Sequence, residues 1–586
     1  MESLKPIRLK RQPIVTDFFV FDVETGKRDE TGGIQWLLNG RPESFIFGVI
    51  YGYYKGKPYE KIHYTVEEMI HDLLNNRVYK NKYMFGHNVI YDLTTLYGNV
   101  FDMDPGSIFN GSRFITATNG NCKFADSMNV LGKVPLAKIG EMIGIKKPDL
   151  GDKNLYSKEG LTHLEINRCK TDCYITYEAL VIVFTKGGAI KLTGPSLALY
   201  NFRRFYLEKP IYYNDLVKEF FNGYYGGRTE AFKIGKGHWQ VIDVNSMYPF
   251  IMKTVQFPNP ANLTKSKPSI KKFINQILPH FEGQITCTVE HRPHYFGFLP
   301  YRTKEKLLFP AGLFSGTWCF PEIRLGISQG VISIKGIDNV VYAEPMPSPF
   351  VEYVDDYYKI KCEETDEFEI DRVKHLLNDL YGKFGQREAD ETIYIKDVFK
   401  ESERVFKLSA EHPTGKLSFL SKKSNAAYFI IKGNKEQKIP HQIPSIAAYI
   451  TSAARTHLLK AMLKMQSNGV AYCDTDSIFF NHGVPFENET YLGGWKLEPK
   501  IVTEIRGPKN YDYIKENTLY KRIKGVPKKA VLGNDNVWRY SNLVTTKEAI
   551  RRNLKAGVLI ERSKVIKGIY DKRIVLSDGD TKPFTI

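Results

Sequence analysis

Two short acidic patches set in apolar runs, about 230 residues apart, constrain this 586-residue chain more than anything else in it. Asp243 lies in VIDVNSMYPF, and the pair Asp474 and Asp476 lies in VAYCDTDSIFF. β-Branched and aromatic residues flank each polar break, which predicts a buried strand ending in a turn that presents carboxylates. Carboxylates held that way suit Mg²⁺, a hard cation that usually takes one or two of them and fills its octahedron with water and substrate phosphate. Two such ions lower the pKa of an attacking hydroxyl and stabilise a departing pyrophosphate, so the patches point to nucleotidyl transfer. Alone, DTDS also reads as an acidic turn, because Asp, Thr and Ser bond their own backbone.

Between the patches, DRVKHLLNDLYGKFGQ (371–386) predicts a helix that stops at Gly382 and carries Lys374, Asn378 and Tyr381 at i, i+4 and i+7. One face then holds a cation that neutralises triphosphate charge and a ring that closes over a base pair. Without an acidic site beside it, the same pattern is an amphipathic face meeting water.

VIDVNSMYP, KHLLNDLYG and YCDTDS, in that order, resemble motifs A, B and C of the family B DNA polymerases. The resemblance implies that Asp243 and Asp476 ligate a pair of Mg²⁺ ions, replaceable by Mn²⁺, with Asp474 supporting them and Val244 in the same metal set. It implies that Lys374, Asn378 and Tyr381 bind the incoming nucleotide. Tyr248 would lie beneath the sugar, where a ring collides with a 2′-hydroxyl. Asp379 stands where the family usually has Ser, a negative charge near the triphosphate that either weakens nucleotide binding or recruits another cation.

The amino-terminal third supports the same family. FFVFDVETG places Asp22 and Glu24 two apart in an apolar strand, so both project from one face. FGHNVIYDL supplies Asn88, Tyr91 and Asp92, and NRCKTDCYITYEAL, a predicted helix, supplies Asp172. The ordered set Asp22, Glu24, Asp92 and Asp172 resembles the family's 3′–5′ proofreading exonuclease, a second two-metal site that activates water. Lys147 in KPDL resembles a lysine that assists this reaction, and Asn88, Tyr91 and Ser127 would be DNA ligands. Arg168 stands where the third exonuclease motif normally has a Tyr that helps orient the attacking water.

The spans of 131 residues from Asp243 to Lys374 and 96 from Asn378 to Asp474 leave room for two insertions. Insertions at these points resemble those of the protein-primed, phage phi29 replicase-like branch. FNGYYGGRTE resembles that branch's Y-x-G-G element and implies DNA contacts by Tyr224, Gly226, Gly227 and Arg228; glycines let the backbone approach a phosphate. GPKNYDY resembles a K-x-Y primer-holding element, with Lys509 and Tyr511 on one face if Asn510 is extended.

The implied architecture is a multidomain α/β chain, an RNase H-like exonuclease domain plus a right-hand polymerase. Its expected parts are exonuclease 1–186, palm 187–258 and 437–500, first insertion 259–350 (priming-protein contact), fingers 351–388, second insertion 389–436 (strand displacement), and thumb with tail 501–586. The second insertion reads as polar with two aromatic strands, and the basic stretch KRIKGVPKK (521–529) as part of a short thumb against duplex DNA. The implied activity is primer extension with deoxynucleoside triphosphates plus proofreading, protein-primed, processive and strand-displacing, on a phage, plasmid or mobile-element genome. The expected partners are primer–template DNA, deoxynucleoside triphosphates and a terminal protein, and the expected state is a monomer. A relative using ordinary or self-made primers, a non-catalytic DNA-binding relative and a purely degrading exonuclease are the alternatives; Tyr248 and the Lys374 helix argue against the last.

Charge agrees with a nucleic-acid partner. The formal net charge of +18 and pI near 9.2 suit a basic groove lined with aromatics. An apolar share of 42% excludes a disordered scaffold, and no 18-residue apolar stretch offers a membrane span. The seven cysteines show no paired metal spacing and read as reduced thiols. The start lacks a secretory h-region, which predicts the cytoplasm, of a host cell if the chain is viral, and its basic character leaves an organelle open.

Overall fold

The computed structural model describes residues 2–9, 11–28, 34–36, 44–98, 108–110, 113–149, 161–387, 391–395, 397–419, 425–431, 439–483, 489–527, 530–533, 535, 537–543, 559–566 and 570–586. Alternation along strand Phe18–Arg28 decides the amino-terminal architecture. This strand pairs antiparallel with Phe45–Tyr54 and parallel with Lys82–Gly86, which runs parallel to Cys122–Asp126. Phe18 and Val20 point into one core with Tyr177 and Phe184 of helix His163–Gly187. Phe19, Phe21 and Val23 point into a second core with Met69 and Leu73 of helix Val66–Asn75. A strand covered on both faces in this way is rigid, and its period of two puts Asp22 and Glu24 on the His163–Gly187 side.

A second, antiparallel sheet runs in the order Thr229–Ala231, Val470–Asp474, Ser477–Phe480, Gly235–Val244, Ile501–Gly507, Asn510–Lys515 and Thr518–Ile523. Helix Pro444–Lys464, apolar on most of its surface, is buried beneath it. Residues 259–350 build a separate sheet, Thr264–Ser266, Ile332–Ala343, Glu282–His291 and Gly312–Cys319, followed by helix Phe320–Ser328.

A buried ion pair ties this region to the central helix. Arg455 is bidentate to Glu322 at 2.8 and 3.0 Å, and Ser452 Oγ donates to the same carboxylate at 3.0 Å. Removing one partner of such a pair leaves an uncompensated charge in the core. Arg455→Met is therefore expected to cost about 3–5 kcal/mol of stability, read from urea unfolding followed by tryptophan fluorescence.

Several expectations are corrected. The helix predicted to stop at Gly382 runs Glu367–Phe384, because burying Phe384 below Leu380, Leu377 and Leu376 outweighs the roughly 1 kcal/mol that an internal glycine costs. Gly385 ends it instead, where a Cβ would lie 2.5 Å from the Tyr224 ring. The 389–436 stretch has three strands among its described residues, Glu391–Ile395, Lys416–Phe419 and Ala427–Ile431, and a helix, Ser402–Glu411, rather than two strands. Of the basic stretch 521–529, Lys528 and Lys529 lie outside the described residues.

The carboxy-terminal segment folds back under the second sheet. Tyr570 Oη accepts from Ala231 N–H at 3.0 Å, Arg573 donates to Tyr295 O and Thr581, and Ile586 exchanges backbone bonds with Ala311 and Leu313. All seven cysteines are free, and no helix among the described residues is long and apolar enough to cross a membrane.

Candidate active sites

Antiparallel register collects the central aspartates. Asp243 lies opposite Ser477, and across the hairpin Asp474 lies opposite the same residue. Asp476 occupies the intervening turn, where its carbonyl accepts from Val244 N–H at 2.9 Å. The turn holds Thr475 at φ +63°, an uncommon conformation for a β-branched residue. Two backbone bonds fix it, Thr475 N–H to Arg228 O and Asp476 N–H to Asp474 O, both 2.7 Å. Asp474 Oδ1 accepts from Thr229 Oγ1 at 2.9 Å and lies 3.6 Å from Lys509 Nζ. Val244 can take part only through its backbone, since its side chain is in the core.

Burial, then the negative Asp476 nearby, pushes Asp243 up to about 7; burial, with Asp474 adding, pushes Asp476 up to about 6. The chain has packed together carboxylates whose ionised form it disfavours. An all-oxygen donor set of this kind fits a hard divalent cation, whose charge removes the conflict.

Cations ring the acids. Lys496 lies opposite Asp243 on strand Trp495–Leu497. Lys361, from helix Val351–Glu363, donates to Ser246 Oγ at 2.8 Å, three residues past Asp243, and burial pulls its ammonium below the usual lysine range. Sequence reasoning missed Lys361, since nothing in KIKCEE separates it from a solvated lysine.

Tyr248 stacks on Tyr381 with centroids 4.6 Å apart and planes 24° apart. Gly227 lies beside Tyr248, where a Cβ would be a tight fit at 3.0 Å from the Thr475 side chain and 3.2 Å from Tyr248 Oη; Gly226 is open. Lys374 and Asn378 are exposed on the Tyr381 helix, and Asn378 donates to Lys374 O at 2.9 Å.

Asp379 does not join that face. Its carboxylate turns towards Gly194, where a Cβ would lie 2.5 Å from Oδ2, and burial raises its pKa while His375 and Arg113 lower it. The carboxylate expected beside the triphosphate is instead turned towards the start of helix Gly194–Asn201.

Three expected DNA ligands, Arg228, Ser127 and Tyr511, are interior residues. Arg228 is 1% exposed, paired with Glu230 and donating to Gly297 O at 2.8 Å over the Phe309 ring, so its charge is consumed inside the fold. Ser127 is fully buried, with Oγ 3.0 Å from His87 Nδ1. Tyr511 is 6% exposed, packed against Tyr472 and Phe479. Lys509 is not on its strand but in a turn at φ +55°, its N–H donating to Tyr472 Oη at 2.9 Å. Tyr224 is half-buried against Gly385 and Ala447, and Arg455 holds the next two carbonyls, Tyr225 and Gly226, at 2.8 and 2.9 Å.

The amino-terminal acids also converge. Asp92, on helix Ile90–Tyr97, accepts from Val23 N–H at 3.3 Å, between Asp22 and Glu24. Lys147 Nζ lies 2.6 Å from Asp172, and Cys169 Sγ lies 3.5 Å from Asp22 Oδ2. Burial, then Asp172 and Glu24, holds Asp22 well above the usual carboxylate range; burial, then Asp22, does the same for Asp92. Mutual repulsion in a buried oxygen-rich cluster again fits divalent cations.

Tyr91 Oη contacts Thr25 Oγ1, and Asn88 is exposed at φ +65°. Asp126, which sequence reasoning passed over, fixes that turn by accepting from Asn88 N–H at 3.2 Å and Met128 N–H at 2.9 Å. Its only signal was a carboxylate ending the apolar strand CKFAD.

Residues 143–467 match the family model of DNA polymerase type B, organellar and viral. The chain belongs to this family. It is 28% identical over 441 residues to the DNA-directed DNA polymerase of Enterobacteria phage PRD1, covering 71% of each chain. It is 29% identical over 434 residues to a probable DNA polymerase of Podospora anserina, covering 63% of this chain and 34% of the fungal protein, so it spans about a third of that relative's length. Phi29 DNA polymerase complexed with primer–template DNA shares the fold at TM-score 0.66 and 18% identity, over 94% of this type B chain and 100% of that one. The multidomain α/β architecture expected for a family B polymerase is thus the one observed.

Proposed function

We propose that this chain is a template-directed DNA polymerase that extends a primer 3′-hydroxyl with deoxynucleoside triphosphates and proofreads with a 3′–5′ exonuclease, starting from a terminal protein and displacing the strand ahead. The observation that carries the reading is the register that brings Asp243, Asp474 and the Asp476 turn together at one end of neighbouring strands of the second sheet, with Tyr248 near Thr475.

Mg²⁺ held by Asp243 and Asp476, with Val244 contributing backbone, would supply a lowered hydroxyl pKa and charge neutralisation at the leaving pyrophosphate. The chain's own residues do the rest. Asp474, bonded to Thr229, stiffens the turn; Lys361, Lys374 and Asn378 offer donors for the triphosphate; Tyr248 against Tyr381 floors the sugar. In the amino-terminal site Asp22, Glu24, Asp92 and Asp172 would hold a second ion pair, with Lys147 adding positive charge for the phosphate.

DNA and nucleotides as partners are supported by the phi29 polymerase structures with primer–template and incoming nucleotide, since that fold covers nearly the whole chain. Protein priming rests on the extra sheet of residues 259–350 and the small domain within 389–436. Its test is a labelling reaction with Mg²⁺, the template and the proteins encoded beside this one. A nucleotide linked covalently to a hydroxyl of one of them is expected; label that reaches DNA but no protein would remove the priming step and leave the polymerase.

A further inference from the structure

The strap that carries Lys147 is anchored on both sides of that residue, and one anchor is the arginine that departs from the family's exonuclease pattern. After helix Leu136–Met142, Gly144 turns the chain at φ +77° and Ile145 N–H donates to Gly140 O at 2.8 Å. Gly140 permits this approach, since a Cβ there would lie 2.4 Å from Ile145 O. Beyond the lysine, Pro148 O accepts from Arg168 Nη1 at 2.7 Å. Between these anchors Lys147 sits 2.6 Å from Asp172.

Residues 145–149 have no regular secondary structure, and Pro148 has no N–H to give, so the strap cannot be fixed there by a ladder. Arg168 and Asp172 are one turn apart on helix His163–Gly187 and therefore share a face. The element that presents the carboxylate thus also presents the guanidinium that fixes the lysine's carrier. Arg168 is half-buried, and its Nε is enclosed with no hydrogen-bond partner among the described residues while Nη1 reaches the Pro148 carbonyl.

We infer that Arg168 is a positioning residue of the amino-terminal site: by holding the Pro148 carbonyl it keeps Lys147 against Asp172. The inference rests on the exonuclease reading proposed above. It gives Arg168 a role different from that of the water-orienting tyrosine whose place it takes, because its guanidinium is committed to a backbone oxygen.

The test is a double-mutant cycle on single-stranded DNA degradation with Mg²⁺, using Arg168→Met, Lys147→Met and the pair, with melting temperature and primer extension as controls. A displacement of about 1 Å costs on the order of 100-fold, so Arg168→Met is expected to lower kcat about 10- to 100-fold with KM unchanged. The pair should be no slower than Lys147→Met alone, because the strap's only task has gone. If Arg168→Met fails to fold, Arg168→Gln, which keeps an amide donor, enters the same cycle. Multiplying effects, a rise in KM alone, or a full-speed Arg168 variant would overturn the inference. An intact chain that degrades no DNA would instead overturn the exonuclease reading, and this inference with it.

Discussion

Asp476→Asn is expected to lower primer extension by about ten-thousand-fold or more and to leave the proposed shortening of primers by the amino-terminal site intact. The substitution keeps the side chain's shape and removes one charge. At a site where two ions are held by a few carboxylates, losing one forfeits several kcal/mol of transition-state stabilisation, and each 1.36 kcal/mol is a factor of about ten. The fold should not suffer. Asp476 contributes its backbone to the hairpin, accepting from Val244 and donating to Asp474, and both bonds survive. Burial already disfavours its charged form, so a neutral amide relieves strain in the unliganded protein. The check is steady-state extension of a labelled primer beside the melting temperature of both proteins; an unchanged rate would remove Asp476 from the chemistry.

The second large effect is the mirror image. Asp22→Ala combined with Glu24→Ala should lower degradation of single-stranded DNA by about a thousand-fold or more while extension proceeds, because the acids acting on Asp22 are Asp172 and Glu24 whereas the acids acting on Asp243 are Asp476 and Glu498. Both residues lie on the covered strand Phe18–Arg28, which its apolar neighbours hold in place, and removing two crowded charges relieves repulsion there. Degradation of a labelled single strand against time measures it. Loss of both activities together would mean that the two sites are one, and loss of neither would mean that the cluster is structural.

The acidic centres were legible because strands carry their function at a period of two and turns declare themselves through Asp, Thr and Ser. Apolar runs placed Asp243, Asp474 and Asp476 at strand ends, and alternation put Asp22 and Glu24 on one face; it was the ordered motifs resembling family B polymerases that joined them into two sites. Residues whose meaning depends on distant neighbours were not legible. Arg228 reads as a phosphate ligand until Gly297 and Phe309, some 70 and 80 positions on, are seen to enclose it. Asp379 reads as a charge beside the triphosphate until its helix is seen docked with that side against Gly194. Gly382 reads as a helix stop until Phe384 is seen buried beyond it. Lys361 carried no local pattern, and Asp126 only that of a carboxylate ending an apolar strand. The return of Tyr570 and Arg573 beneath Ala231 and Tyr295 joins segments more than 270 residues apart, which periodicity cannot reveal.

The most direct measurement is extension of a single primer on a DNA circle by the intact chain with Mg²⁺ and all four deoxynucleoside triphosphates. Products longer than the circle, lost in Asp476→Asn and retained in Asp22→Ala with Glu24→Ala, are the predicted result. A primer that stays at its starting length while the protein is bound to the DNA would contradict it.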